Sequence, residues 1–193
     1  MDNQQFIKSS IKLFRFYKML GEKAMAQLER EQLFVQANPD TNSIATIVKH
    51  LSGNMLSRWT DFMTTDGEKP WRNRDAEFAE CTEQTDVLEL WEQGWKCLFN
   101  ALEDLKPEQL FDIIYIRNEG HTVMEAVNRQ LAHYSYHVGQ IVFYAKVLKT
   151  SDWESLSIPR NSSQSYNSTK FDQEKSIRNF TDEELKRNTS QPG

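Results

Sequence analysis

TVMEAVNRQLAHYSYHVGQIVFYAKVL, residues 122–148, carries the strongest structural signal in the chain. Its apolar side chains recur at three- and four-residue steps, which is the period of an amphipathic α-helix. Thr122 stands three residues before Glu125, so their side chains are expected to form a capping box at the start of the helix. The stretch therefore predicts a long helix with one face in a protein core.

Three upstream segments repeat this period and predict three more long helices. The first is expected to run from the Asp2 cap to about residue 38, the second from about 42 to 66, and the third from about 82 to 106. Residues 69–75 read as a loop, and residues 113–120 as a short strand or hairpin arm. Four amphipathic helices joined by modest connections predict an all-α fold, a four-helix bundle.

The composition changes after residue 150, where large apolar residues become rare. The run from Asn161 to Ser165, NSSQS, is typical of a polar segment that cannot build a core of its own. We therefore predict a bundle domain over residues 1–150 and a polar C-terminal tail over residues 151–193. The tail is expected to wrap the bundle.

Charge and composition exclude several classes of protein. The 193 residues include 23 Lys and Arg against 28 Asp and Glu, a formal net charge of -5, which argues against a nucleic-acid partner. No segment is long and apolar enough to span a membrane, and the N-terminus lacks a secretion signal, so a cytoplasmic protein is expected. Cys81 and Cys97 have no C-x-x-C spacing, which predicts two free, inert thiols.

Three of the four histidines predict a metal site. His133 and His137 are four residues apart, which places both imidazoles on one helix face, one turn apart. His50 lies in the middle of the second helix and is the expected third ligand, whereas His121 lies too far before His133 to join them. Three imidazoles leave a coordination position open, as catalytic sites do, and suit a divalent transition metal, above all zinc or nickel. The alternative is three hydrogen-bonded histidines in a helix bundle.

Five further residues are candidates for supporting the ligands or binding a substrate: Asn54, Gln130, Tyr144, Arg72 and Arg74. Asn54 and Gln130 each lie about one helical turn from a histidine, and Tyr144 follows His137 by seven residues. The two arginines could form an anion-binding lip over the metal. The alternative for them is a solvated loop of Arg–Asp pairs.

The histidine pattern in a four-helix chain of this size resembles the DinB/YfiT-like superfamily of metalloenzymes over residues 1–150. The segments IVKHLSGNM (47–55), DGEKPWRNRD (66–75) and IPR (158–160) are similar to a Bacillus-type subfamily of unknown function. The resemblance implies a four-helix bundle, a divalent metal on the three histidines, and a homodimer. Some members transfer low-molecular-weight thiols such as mycothiol, bacillithiol or glutathione, and others resemble hydrolases.

The sequence and the resemblance together lead to one functional expectation and two alternatives. The expectation is a metal-dependent enzyme that activates a low-molecular-weight, bacillithiol-type thiol for transfer to an electrophile. The first alternative is a metal-dependent hydrolase, and the second is a non-catalytic metal-binding stress protein. The expected partners are a second copy of the chain and a small-molecule thiol or electrophile.

Overall fold

The computed structural model describes residues 2–79, 81–82 and 84–189, and the fold is mainly helical. Four long helices are α1 (Asn3–Met25), α2 (Ile44–Trp59), α4 (Val87–Glu103) and α5 (Val123–Lys149). Three shorter ones are α3 (Arg74–Glu77), α6 (Ser163–Phe171) and α7 (Thr181–Thr189). Strands β1 (Ile113–Ile116) and β2 (Glu119–Thr122) form an antiparallel hairpin, and 3-10 turns lie at Arg30–Phe34 and Pro107–Phe111.

Side-chain caps begin each of the long helices. Asp2, Ser43 and Asp86 each accept a hydrogen bond from the backbone N–H three residues later, which satisfies a donor that has no partner within the helix. Thr122 and Glu125 cap α5 reciprocally, so the predicted capping box is confirmed.

The core lies where α2 packs along α4 and α1 packs along α5, with α2 also contacting α5. Trp91, Trp95, Tyr134 and Phe14 are its largest fully buried side chains. Gly94 on α4 allows close approach, because an added Cβ would lie 2.9 Å from the Cα of Ser52 on α2. Helix α2 is buried on nearly every side and still carries polar groups, which indicates a site within the core.

Hydrogen bonds to the loop that follows α2 hold the β-hairpin beside the C-terminal end of this helix. The N–H of Gly67 donates to the carbonyl of Tyr115 at 2.8 Å. Asp66 accepts from the backbone N–H groups of Arg117 and Asn118 at 2.8 and 2.9 Å. Arg117 and Asn118 form the turn with φ of 57° and 61°. The predicted strand or hairpin arm is therefore confirmed, and its turn is fixed against the α2 side of the molecule.

The C-terminal segment contains helices rather than irregular chain alone. Trp153 packs on the core cluster, and the N–H of Glu154 donates to the side chain of Gln27, just after the end of α1, at 2.8 Å. Farther along, the ring of Phe180 contacts Phe16 of α1 with centroids 5.4 Å apart. The division of the chain at residue 150 stays a prediction.

Several predicted helix boundaries are wrong. Helix α1 ends at Met25 rather than near residue 38, because Glu29 and Gln32 cap a separate 3-10 turn whose Leu33 is buried in the core. Helix α2 ends at Trp59, shortly before Asp61 adopts a φ of 47°. Helix α4 begins at Val87, and the predicted loop over residues 69–75 runs into the short helix α3. Within the described residues, no helix has the length and apolar character needed to cross a membrane.

Candidate metal centre

One face of α2 supplies polar side chains at four-residue steps. His50, Asn54 and Arg58 follow one another along this face, and all three are buried. The hydroxyl of Tyr134 on α5 donates to Asn54 Oδ1 at 3.1 Å and accepts from the indole N–H of Trp59 at the same distance. This buried chain of hydrogen bonds fixes α2 against α5, which carries the other two histidines.

The three predicted histidines meet between α2 and α5. Nε2 of His133 lies 3.4 Å from Nε2 of His50 and 3.1 Å from Nε2 of His137. One nitrogen from each ring lies within 4.8 Å of the other two, and the group could hold a metal ion. The i, i+4 spacing on α5 and the mid-helix position on α2 therefore converge as predicted.

Neighbouring acceptors fix the protons of two of these rings on Nδ1. His50 Nδ1 lies 2.9 Å from Oε2 of Glu77, and His137 Nδ1 lies 2.7 Å from Oε1 of Gln140. A carboxylate and an amide oxygen only accept hydrogen bonds, so we assign an N–H to each Nδ1. Each Nε2 then presents its lone pair to the centre of the group, as ligating histidines do.

The pKa shifts of His133, His137 and Glu77 favour the protonation states that a metal site needs, which are neutral imidazoles and an ionised carboxylate. Burial, followed by the charges of His137 and His50, lowers the pKa of His133 to about 3. Burial also lowers the pKa of His137. Burial raises the pKa of the Glu77 carboxyl, but hydrogen bonds from His50 and Arg72 outweigh that effect and leave its pKa below the usual range. His133 and His137 are thus neutral and Glu77 is ionised at neutral pH.

The donor set fits a cation better than it fits a hydrogen-bonded cluster. Nε2 of His50 and Nε2 of His137 both carry lone pairs, and His133 has at most one Nε2 proton to donate to one of them. At least one of these lone pairs therefore has no hydrogen-bond donor. A divalent ion would accept all three lone pairs. Tetrahedral zinc with bonds near 2.05 Å separates its nitrogen ligands by about 3.3 Å. Two of the three Nε2 separations, 3.1 and 3.4 Å, are close to this value, and the third pair lies within 4.8 Å.

A cavity of about 410 Å³ opens over the histidines. Its lining combines the three ligand candidates with arginines, amides and two aromatic rings: His50, His133, His137, Arg58, Arg72, Arg74, Arg117, Arg129, Asn54, Gln130, Phe78 and Tyr136. This volume lies within the range of small-molecule sites, about 300–1,000 Å³. The three histidines are therefore reachable by a small molecule.

Four of the five other predicted site residues line this cavity. Asn54 and Gln130 are buried, Arg74 is exposed, and the guanidinium of Arg72 binds both oxygens of Glu77 at 2.7 and 2.9 Å. Tyr144 lies elsewhere: it lines a separate cavity of about 470 Å³, and its hydroxyl donates to the carbonyl of Val35. Seven helical residues span about 10 Å, which is too far from His137 for its side chain to return.

Sequence reasoning missed several residues of the site. Glu77, on α3, binds His50, and an added Cβ at Gly53 would overlap its carboxylate, so the glycine three residues after His50 was a usable signal. Phe78 lies beside His50 with ring centroids 4.8 Å apart, and Arg74 lies 5.1 Å from the centre of the Phe78 ring. Arg117, Arg129 and Tyr136 also line the cavity, although no sequence spacing links Arg117 to the histidines.

His121 and the two cysteines lie outside this group. His121 is on β2, where its Nε2 accepts a hydrogen bond from Arg129 at 3.2 Å. Cys81 and Cys97 are both free thiols. Cys97 lines another cavity, of about 520 Å³, and burial raises the pKa of its thiol, which makes it a poor nucleophile.

Comparison with known proteins places the chain in a family without naming an activity. A family model described as Protein of unknown function (DUF1572) matches residues 2–162. No curated protein and no solved structure matches the chain. The match does not test the DinB/YfiT-like resemblance. Because the family model covers most of the chain, the chain belongs to the DUF1572 family of proteins of unknown function.

Proposed function

We propose that this protein is a divalent-metal-dependent enzyme in which His50, His133 and His137 hold one zinc or nickel ion. The observation that carries the proposal is the convergence of three Nε2 atoms beneath a cavity, with two of the rings anchored through Nδ1. A bound ion with an open position supplies a nucleophile near neutral pH by lowering the pKa of a coordinated thiol or water.

The chain's own residues prepare that chemistry. Glu77 and Gln140 hold the His50 and His137 rings in the tautomer that aims Nε2 inward. Phe78 packs against one side of the His50 ring. The buried Asn54, bound to the Tyr134 hydroxyl, keeps α2 in register with α5. The ligand geometry is therefore prepared by the fold.

We propose thiol transfer as the reaction, in line with the resemblance to the DinB/YfiT-like superfamily. A bacillithiol-type low-molecular-weight thiol would release its proton to solvent. Its sulfur would then form a bond to the carbon of an electrophile as the bond from that carbon to the leaving group breaks, and the leaving group would depart with the bonding electron pair. The small, open cavity above the histidines supports a small-molecule substrate. We also propose a DinB-type four-helix bundle that acts in the cytoplasm as a homodimer. The exposed Phe143 and Val147 on α5 support the dimer.

Metal content tests the metal site. We expect untagged protein to carry about one transition-metal ion per chain by inductively coupled plasma mass spectrometry, and the His137→Ala variant to lose it. His121→Ala is the matched control, because it removes an imidazole outside the group. Metal-free wild-type protein that stays empty when zinc or nickel is supplied, or equal uptake by the His137→Ala variant, would refute the metal site.

Paired assays on one preparation test the reaction. Conjugation of bacillithiol or glutathione to a chromogenic electrophile should depend on both the thiol and the metal. Ester or amide hydrolysis that does not depend on thiol would instead indicate the hydrolase. A loaded protein inactive in both assays would contradict enzymatic function and indicate a metal-binding stress protein.

A further inference from the structure

The wall of the cavity above the three histidines is strongly basic. Five of its lining residues are arginines, and none of the described lining residues is acidic: Arg58, Arg72, Arg74, Arg117 and Arg129. This concentration of positive charge stands in a chain whose formal net charge is -5. A basic cleft with low-dielectric walls attracts anions and raises their local concentration.

Two of these arginines are structural parts of the wall. Arg72 is almost fully buried and binds both oxygens of Glu77. Arg58 is also buried and lies 3.2 Å from Oε2 of Glu68. That same oxygen lies 3.0 Å from Arg117, so Glu68 is shared between arginines. Asp66 binds backbone N–H groups of the hairpin rather than a guanidinium.

The other arginines are available to a ligand at the rim. Within the described part of the chain, neither Arg74 nor Arg129 forms an ion pair with a carboxylate: Arg74 lies over Phe78, and Arg129 donates to His121. Arg117 is exposed, and its only carboxylate partner among the described residues is Glu68, which also pairs with Arg58. Among the described residues, only the two carboxylates of Glu68 and Glu77 form ion pairs with the five guanidinium groups, so the arginines outnumber their carboxylate partners.

One residue that lines the same cavity also has a buried polar atom without a partner. Gln130 is 3% exposed, and its Oε1 has no hydrogen-bond partner among the described residues. A buried acceptor left unpaired is destabilising, so such groups normally have a hydrogen-bond partner in folded proteins. A bound molecule with an N–H, O–H or S–H group near its anionic group would satisfy it.

We propose that the substrate carries a carboxylate or phosphate group, which Arg74, Arg117 and Arg129 bind at the rim while its reactive group reaches the histidines. This inference rests on the proposed function and names its substrate class. The guanidinium plane matches the paired oxygens of either group with two parallel hydrogen bonds. The cavity of about 410 Å³ fits a small molecule.

Calorimetric titration of the zinc-loaded, full-length protein at low salt tests the inference, with inorganic phosphate and succinate as separate probes. We expect at least one probe to bind, and the preferred probe identifies the anionic group. The variant Arg74→Gln/Arg129→Gln should weaken binding about tenfold or more. Arg160→Gln/Arg178→Gln is the matched control, because it removes the same charge from exposed arginines that do not line the cavity.

Metal content measured on the same samples separates this inference from the function on which it rests. The arginine variant should retain its zinc, because the three histidines are unchanged, and its circular dichroism should match the wild type. Loaded wild-type protein that binds neither probe would overturn the inference and leave the metal site intact. Equal weakening by the control variant would also overturn it, because the effect would then come from overall charge. Loss of metal from the wild type would instead refute the proposed function.

Discussion

The two nitrogens of His50 face different environments. Its Nδ1 meets the Glu77 carboxylate inside the core, and its Nε2 faces the other two histidines. An ionised acceptor behind an imidazole fixes the ring and makes its free nitrogen more basic, which strengthens a metal ligand. Arg72 in turn holds Glu77 through two hydrogen bonds. The ligand is thus oriented by a chain of two further side chains.

Replacing Glu77 tests this orientation. We expect Glu77→Gln to lower zinc affinity about 10–100-fold in a competition titration against a chelating dye, because the amide keeps an acceptor but loses the charge. Glu108→Gln is the control, since Glu108 is exposed on the 3-10 turn before β1. Equal zinc affinity in the two variants would show that Glu77 does not position His50.

The candidate metal ligands could be predicted from sequence because their relation is local or follows from helix periodicity. His133 and His137 share a face by spacing alone, and His50 lies at the centre of a predicted facing helix. Glu77 and Arg117 could not be predicted in the same way, because loop and hairpin geometry brings them to the site. The turn at Arg117 depends on Asp66, which is 51 residues earlier in the chain.

The close approach of α2 and α4 matters at the scale of elements. Gly94 faces the backbone of Ser52, which lies two residues from His50. Helices that touch through a glycine cannot take up an added side chain without moving apart. The position of His50 therefore depends on packing on the opposite side of α2.

Two glycine substitutions should have opposite effects. Gly94→Ala should lower the free energy of unfolding by roughly 1–3 kcal/mol, because its Cβ meets α2 backbone. Gly139→Ala should raise it by roughly 0.5–1 kcal/mol, because this α5 position has open space around an added Cβ. Urea midpoints with unchanged slopes would measure both effects. Stabilisation by Gly94→Ala would contradict the close contact.

The start of a helix could be predicted where a capping residue marks it. The end of a helix could not be predicted where tertiary contacts determine it. The Thr122 and Glu125 capping box marked the first residue of α5. No proline or glycine marks the end of α1 at Met25. Instead, the side chain of Gln32 in the following 3-10 turn donates to the carbonyl of Leu148, so a distant contact fixes the chain path.

At the scale of the whole molecule, the described part of the predicted tail contacts the rest of the chain around Trp153 and again around Phe180. Trp153 and Leu156 pack on the core, and residue 154 exchanges two hydrogen bonds with Gln27. The second contact joins α7 to α1 through Phe180 and an ion pair of Lys12 with Asp182 at 2.6 Å. Phe180 is largely exposed and exposed ion pairs contribute little, so the first contact should matter more for stability.

Two truncations test the predicted boundary at residue 150. A chain ending at residue 162 should unfold within a few degrees of the full chain, because it keeps the first contact. A chain ending at residue 150 should lose about 2 kcal/mol of burial at Trp153 and Leu156, which corresponds to roughly 4–8 °C in Tm. Circular dichroism melts measure both. Equal melting of both truncated chains would contradict a stabilising role for residues 151–162.

The stacking of Arg74, Phe78 and His50 has a spectroscopic consequence. The Phe78 ring lies 4.8 Å from the His50 ring with their planes inclined at 31°, and Arg74 lies 5.1 Å from the centre of Phe78. The magnetic field of the phenyl ring current shifts the resonance frequencies of the imidazole protons beneath it. Any displacement of Arg74 that tilts Phe78 would therefore appear in the proton spectrum of His50, which makes the histidine a built-in reporter of events at the rim.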